Sequence, residues 1–330
     1  VLDSLGAPVV GSAVFFYPGL PVMGMATLQN ALIDNEPLIA FDTRFAYTYA
    51  NGWDRLGTGP AATWSGDNSQ FFWFTTWVGV TANQYFLFVT NFNETEPQFM
   101  RYYDGTNWNS FSPLVSVTNN IRMIAALIII PFKNRLLAFN IWESTGGASP
   151  IHYANRMRFT TVGSPLDNPL ASPVYYPWNT DTSGLGAGLD CPTQEAIVTV
   201  QYIKDRLIVG MENSSWEIVF TNNQVSPFLW QQINTDLGSE STFSVVSFDK
   251  LVLSIGNVGI IGCTGSNVDR IDQKIPDEVF DIQNVNSGIK RVYGIRDYFA
   301  EMVYWTFPDD AFSSTFPYMK PTPMRQETRL

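Results

Sequence analysis

Histidine and cysteine are nearly missing from this chain, which has one His and two Cys in 330 residues. The single imidazole, His152, has no serine or cysteine nucleophile in a recognisable elbow beside it, so a Ser-His or Cys-His hydrolase is hard to build. His152 is therefore expected to be structural. Cys191 and Cys263 have neither CxxC spacing nor nearby histidines, which argues against zinc. A disulfide-stapled secreted scaffold would carry more cysteines, so both are read as buried free thiols. No GxGxxG follows a strand, and no GKS/T loop or HExxH occurs, so nucleotide and metalloprotease chemistry lose their usual sequence support.

Charge is scarce as well. Asp, Glu, Lys and Arg make up 15% of the chain, against about a quarter in soluble domains. Part of the surface is accordingly expected to be covered by something other than water. The net charge is −11, and no run of Lys or Arg exists to hold a phosphate backbone. Sequence-specific nucleic-acid binding is not expected, although an acidic surface lets DNA pass without sticking. The longest apolar run, "MIAALIII" from Met123 to Ile130, is far too short to span a bilayer, so no membrane insertion is expected. No secretory leader opens the chain, and its first residue is Val, as expected of a trimmed or incomplete polypeptide.

What the chain does hold is a repeated turn. Apolar runs rich in Val, Ile, Phe, Tyr, Trp and Thr break at a short polar group and then resume, as in "IIIPFKNRLLAF", "VTVQYIKDRLIVG", "FSVVSFDKLVLSI" and "VYGIRDYFAEMVYW". Weaker copies are "ALIDNEPLIAF" and "VTANQYFLFV". The turn markers Asp34, Asn83, Asn134, Asp205, Asp249 and Asp297 recur roughly every fifty residues, the period of a β-propeller blade. Each unit has a second, aromatic-tipped half, such as "SSWEIVF" with "FLWQQI", and two hairpins make a four-stranded blade. We therefore expect an all-β propeller of about six four-stranded blades in a single domain. The approximate blades are 24–75, 76–120, 121–190, 191–238, 239–287 and 288–330. A strand at Val9 to Tyr17, within residues 1–23, could close the ring, and 316–330 read as an extended tail. The one long interval contains a Pro/Gly-rich excursion between Thr160 and Glu195, expected to be ordered but irregular.

Candidate sites are few. In "NTDTSGLGAGLD", Asn179, Asp181, Ser183 and Asp190 fall on ligand positions of an EF-hand-like calcium loop, with Gly184 at the sharp turn. No helices flank it and the last ligand is Asp, so a Gly-rich loop is the favoured reading, with no metal and no cofactor. Glycosidase propellers need carboxylates converging at one mouth, and Asp42, Asp104, Glu195, Glu217 and Asp272 are available. None stands in a repeated strand-starting context, and no catalytic residue is assigned. "YYDGTNWNS" is similar to the Asp box of sialidases, itself a turn brace, and is read as an Asp-Gly turn with Trp108 packed between blades. Asn93 and Asn213 lie in glycosylation sequons that mean little without a secretory signal. Trp53, Trp64, Trp73, Trp77 and Trp178 could stack on sugars, but core packing is the commoner use of such rings.

From about Asn119 to Ile282 the order of motifs resembles the β-propeller domains of tailed-bacteriophage tail proteins of the nozzle and tail-tube-associated type. The resemblance rests on "FKNRLLAFN", "IHYANRMRFTTVGSPLD", "WNTDTSGLGAGLDCPTQEAI", "RLIVGMENSSWEIVF", "SPFLWQQINTDLGSES", "FSVVSFDKLVLSIGNVGIIGCTG" and "DRIDQKIPDEVF". Thr160 stands where the family has Ser, no Trp follows Pro165, and the N-terminal third matches only in blade character. The resemblance implies a non-enzymatic virion component that packs as a rigid disc into a ring or sleeve around the tail axis during DNA ejection. Its implied partners are further copies of itself and other tail or connector proteins. Tyr175, Tyr176, Trp178, Phe316 and Tyr318 are the candidate interface residues. The alternative is a carbohydrate- or receptor-binding propeller, or one that degrades glycans.

Overall fold

A computed structural model describes residues 20–28, 36–67, 70–78, 85–94, 98–146, 149–274 and 288–307. The chain is all-β and built of propeller-type blades. It divides into two compact units, Val1–Tyr153 with Met157–Gly188, and Ala154–Arg156 with Leu189–Leu330.

The first unit begins with a four-stranded antiparallel meander of β1 (Gly24–Thr27), β2 (Leu38–Phe41), β3 (Ala46–Tyr49) and β4 (Trp53–Arg55). A second meander follows, of β5 (Phe72–Val78), β6 (Tyr85–Asn91), β7 (Met100–Tyr103) and β8 (Trp108–Phe111). The third sheet has five strands in the order β13-β12-β11-β10-β9. They are β9 (Leu114–Ser116), β10 (Ile121–Phe132), β11 (Arg135–Ser144), β12 (Ile151–Phe159) and β13 (Ala187–Asp190). The boundary between the units runs through β12 and β13.

The second unit holds a meander of β14 (Ile197–Ile203), β15 (Arg206–Met211), β16 (Ser215–Phe220) and β17 (Phe228–Asn234). Another comprises β18 (Val246–Ser247), β19 (Val252–Gly256), β20 (Gly259–Cys263) and β21 (Val268–Arg270). A 3-10 turn, Gly288–Arg291, leads into the hairpin of β22 (Tyr293–Asp297) and β23 (Met302–Thr306).

The polar breaks turn the chain as their chemistry requires. Between β10 and β11, Lys133 and Asn134 both adopt positive φ, 50° and 59°, the geometry that matches a tight turn to strand twist. Lys204 does the same at 55° ahead of Asp205. Asp297 turns the chain with its carboxylate, which accepts the amides of Phe299 and Ala300.

Three expectations shift. The first hairpin pairs Gly24–Thr27 with Leu38–Phe41, so its opening strand lies upstream of "ALI", which falls outside the described residues together with Asp34. β5 opens the second sheet, which moves the first blade boundary back to about residue 71, and β9 pairs with β10 in the third sheet. Val9 to Tyr17, Asn83 and residues 316–330 lie outside the described residues.

Cores form where adjacent sheets face each other. Phe41, Trp64, Phe72 and Trp108 gather between the first two sheets, with the Phe41 and Phe72 rings 4.8 Å apart and Trp64 and Trp108 4.9 Å apart. Phe88, Phe111, Ile129, Leu136 and Trp178 fill the space between the second and third. In the second unit Ile203, Ile208, Val252, Ile261 and Val268 make the equivalent layer. Each side chain of this size contributes about 1.5–3 kcal/mol on full burial, so the face-to-face layers hold the blades.

Candidate functional site

The candidate carboxylates make hydrogen bonds and ion pairs that hold turns and sheets. Asp42, fully buried, accepts the amides of Arg44 and Phe45 at 2.6 Å each and the Tyr47 hydroxyl at 2.9 Å. Asp104 accepts the amides of Thr106 and Asn107 and the Asn109 side chain. Burial works to raise its pKa, but these hydrogen bonds prevail and hold it below the usual carboxylate range. Asp104 is thus the turn brace expected, and Trp108 beside it is fully buried with its Nε1 donating to the Leu56 carbonyl.

In the second unit Glu195 accepts the Asn213 amide, the Ser214 hydroxyl and the Thr193 hydroxyl. Glu217 takes both arms of the Arg206 guanidinium, which also donates to the Gly265 carbonyl. That arrangement ties the β15–β16 hairpin to the loop after β20. Asp272 pairs with Arg270 at 2.6 Å and sits against Gly259. Asp42 lies in the first unit, and Glu195 and Asp272 in the second.

The excursion after β12 is ordered by its own backbone. Asn168 and Tyr175 exchange amide-to-carbonyl bonds at 2.8 and 3.1 Å, and the Tyr175 hydroxyl donates to the Ser164 carbonyl. Asp167 accepts the Leu114 amide and sets the excursion against β9. Trp178, expected at an outer interface, is fully buried and donates from Nε1 to the Pro165 carbonyl. It is a core residue, because the loop folds back over it and Gly186 packs directly on its backbone. Tyr175 and Tyr176 are half-buried, whereas Phe316 and Tyr318 lie outside the described residues. The most exposed apolar side chain of the excursion is Leu170.

The calcium-loop residues have other uses. Asp181 accepts the Ser116 hydroxyl and the Thr118 amide, the latter being the largest cause of its lowered pKa. Asp190 pairs with Arg156 at 2.6 Å. Asn179 is buried, with its Oδ1 accepting the Asp181 amide, and Ser183 is exposed. Asn179, Asp181 and Ser183 belong to the first unit and Asp190 to the second. Among the described residues, no group of three or more His, Cys, Asp or Glu is placed to hold a metal ion.

His152 stacks on Trp142, with centroids 4.7 Å apart and planes 3° from parallel, and its Nε2 meets Asn140 Oδ1 at 2.6 Å. Burial lowers its pKa, so the neutral ring is favoured, with Glu94 pulling the other way. Cys191 and Cys263 are free and buried, as expected. Trp64 and Trp77 are buried and Trp73 donates to the Ile129 carbonyl, so these rings serve packing. A cavity of about 20 Å³ in the second unit, lined by Thr199, Ser215, Ser239, Ser254 and Cys263, has room for one water molecule.

Two surfaces stand apart from these braces. On the β3–β4 hairpin, the Tyr49 and Trp53 rings meet at a tilt of 57° with centroids 5.3 Å apart, and the Arg55 guanidinium lies 3.5 Å over the Phe45 ring. On the β22–β23 hairpin, Tyr298 is 75% and Phe299 100% exposed.

No protein family matches this sequence, and no curated protein does. Solved structures similar in fold include the N-terminal domain of Nup159, at 7% identity and a TM-score of 0.42, covering 87% of this chain and 73% of that one. A mutant of the Aleuria aurantia lectin in complex with Fucalpha1-6GlcNAc matches at 11% identity and a TM-score of 0.35, covering 88% and 91%. The extracellular domain of BT4673 from B. thetaiotaomicron, assigned as a hybrid two component system, matches at 7% identity and a TM-score of 0.36, covering 89% of this chain. This chain spans 38% of that domain's length.

Proposed function

We propose that this chain is a non-enzymatic structural component of a tailed-phage tail, a rigid blade assembly that packs against further copies and against other tail proteins. The observation that supports a structural role is the use of its acids. Asp42, Asp104, Glu195, Glu217 and Asp272 each accept hydrogen bonds from nearby turn or strand donors, a use that supports a bracing role for them. The tail address rests on the resemblance of motif order between Asn119 and Ile282. Low charge and exposed aromatics fit a surface covered by neighbours, since interface cores are poor in charge and rich in aromatic residues. The net charge of −11 fits a wall that DNA slides past.

The test is localisation. Antibody raised against the purified chain, gold-labelled and applied to tailed particles that carry its gene, should decorate the tail, and peptide mass spectrometry of washed particles should recover the chain. Particles that lack it, or whose tails stay complete when its gene is deleted, overturn the reading.

A further inference from the structure

We propose that the β22–β23 hairpin tip of one copy, carrying Tyr298 and Phe299, docks on the Tyr49–Trp53–Arg55 face of a second copy of this chain. The contact deepens the structural reading above and rests on its homo-oligomer.

The tip is built to project. Asp297 accepts the amides of Phe299 and Ala300 at 2.9 and 3.0 Å, which fixes the turn with the Phe299 ring wholly in solvent. The Arg296 guanidinium lies 4.7 Å from the Tyr298 ring and 4.3 Å from Phe248, and it pairs with Glu301 at 2.8 Å and Asp249 at 3.8 Å. Glu301 and Asp249 both pair with Arg296, and the Asp297 carboxylate stands at the turn itself, so with Lys250 counted the tip carries three carboxylates against two cations and is aromatic and net acidic. A turn already ordered loses little entropy on docking, and an exposed aromatic pair of this kind marks a contact surface.

The β3–β4 face has the opposite charge. Tyr49 and Trp53 pair across the strands, and alternation puts Arg55 on their side of the sheet and Asp54 on the other. Arg55 and Arg44, the latter in the turn before β3, are both exposed, and neither makes an ion pair with a carboxylate among the described residues. Tyr, Trp and Arg are the residue types that dominate binding energy at interfaces.

Charge complementarity selects the occupant. The acidic tip is repelled by an anionic bilayer. An aromatic face whose arginines pair with no carboxylate among the described residues complements it, and this chain carries one. Because the two surfaces differ, the contact is head-to-tail, and such contacts close into rings or run into filaments.

The experiment is sedimentation of the purified chain at up to about 100 μM, well above a micromolar Kd. Wild type should associate, and Phe299→Ser or Arg55→Glu should each weaken association by at least about tenfold. Mixing the two variants should restore a 1:1 dimer that grows no further, since each supplies the surface the other lacks. Circular dichroism melts verify folding, and Tyr298→Ser with Tyr49→Ser forms a second pair should either variant misfold. A wild type that stays monomeric overturns the contact, as do variants that associate like wild type. Monomeric variants that fail to complement overturn head-to-tail docking. Each of these failures leaves the tail reading to the particle localisation, which decides it separately.

Discussion

The Nε of Arg158 lies 2.6 Å from Oε1 of Glu143, and both side chains are more than nine-tenths buried. Glu143 is on β11 and Arg158 on β12, so the pair staples the third sheet from within. A second guanidinium nitrogen of Arg158, Nη1, is buried with no hydrogen-bond partner, which makes the cation depend on Glu143. Removing one member of such a pair leaves an uncompensated charge in a dry interior. Glu143→Gln should therefore cost about 3–5 kcal/mol in urea unfolding, whereas replacing both residues by Met should cost clearly less. Equal losses in the single and double variants would show that the pair is not the stabilising element.

Gly259 and Gly105 both sit at positive φ, 126° and 99°, but their surroundings differ. A Cβ at Gly105 meets open space, while one at Gly259 collides with the Asp272 carboxylate and forces it from Arg270. Gly105→Ala should cost about 1–2 kcal/mol, the strain of a left-handed backbone. Gly259→Ala adds a broken ion pair with one member fully buried and should cost roughly 3 kcal/mol or more. Thermal melts of the two variants side by side read the difference, and similar melting temperatures would sink the account of Asp272.

The blades were legible because the turns are chemical. Asn134 and Asp297 change chain direction through properties of their own side chains and backbones, and their spacing sets the period. Asp104 was legible for the same reason. Trp178 was not, because a Pro/Gly loop has no periodicity to assign a face, and its burial depends on Pro165 accepting its indole proton. Buried pairs leave no local mark either. Arg158 and Glu143 are 15 residues apart, and either alone reads as an ordinary strand charge. The exposure of Phe299 and the seating of Arg55 on the Phe45 ring were hidden because they are properties of the folded hairpins, not of the residue string.

Cys191 and Cys263 should resist thiol reagents in the folded chain. The thiolate is the reactive form, and burial pushes the Cys191 pKa up to about 11 and raises that of Cys263. A chromogenic disulfide reagent at pH 8 should titrate almost no thiol in native protein and two per chain in guanidinium. Rapid labelling of either cysteine in the native state would contradict the burial of that site.

Asp167 is a carboxylate that folding penalises. Burial raises its pKa more than the Leu114 amide and Arg122, 4.0 Å away, lower it, and Oδ1 is buried without a partner. The sign follows from proton binding. With a folded pKa above the unfolded value, the native state holds the proton more tightly, so this group's contribution is fully present below about pH 4 and is lost as pH rises through the folded value. At neutral pH the ionised group weighs against the fold. Asp167→Asn keeps an oxygen for the Leu114 amide and removes the charge, so it should melt at or above wild type at pH 7. The gap between the two should narrow as pH falls toward 4, because wild type then carries the proton itself. Melting curves across that range decide it, and a variant less stable than wild type at pH 7 with a constant gap would show that Asp167 is needed ionised for its pairing with Arg122.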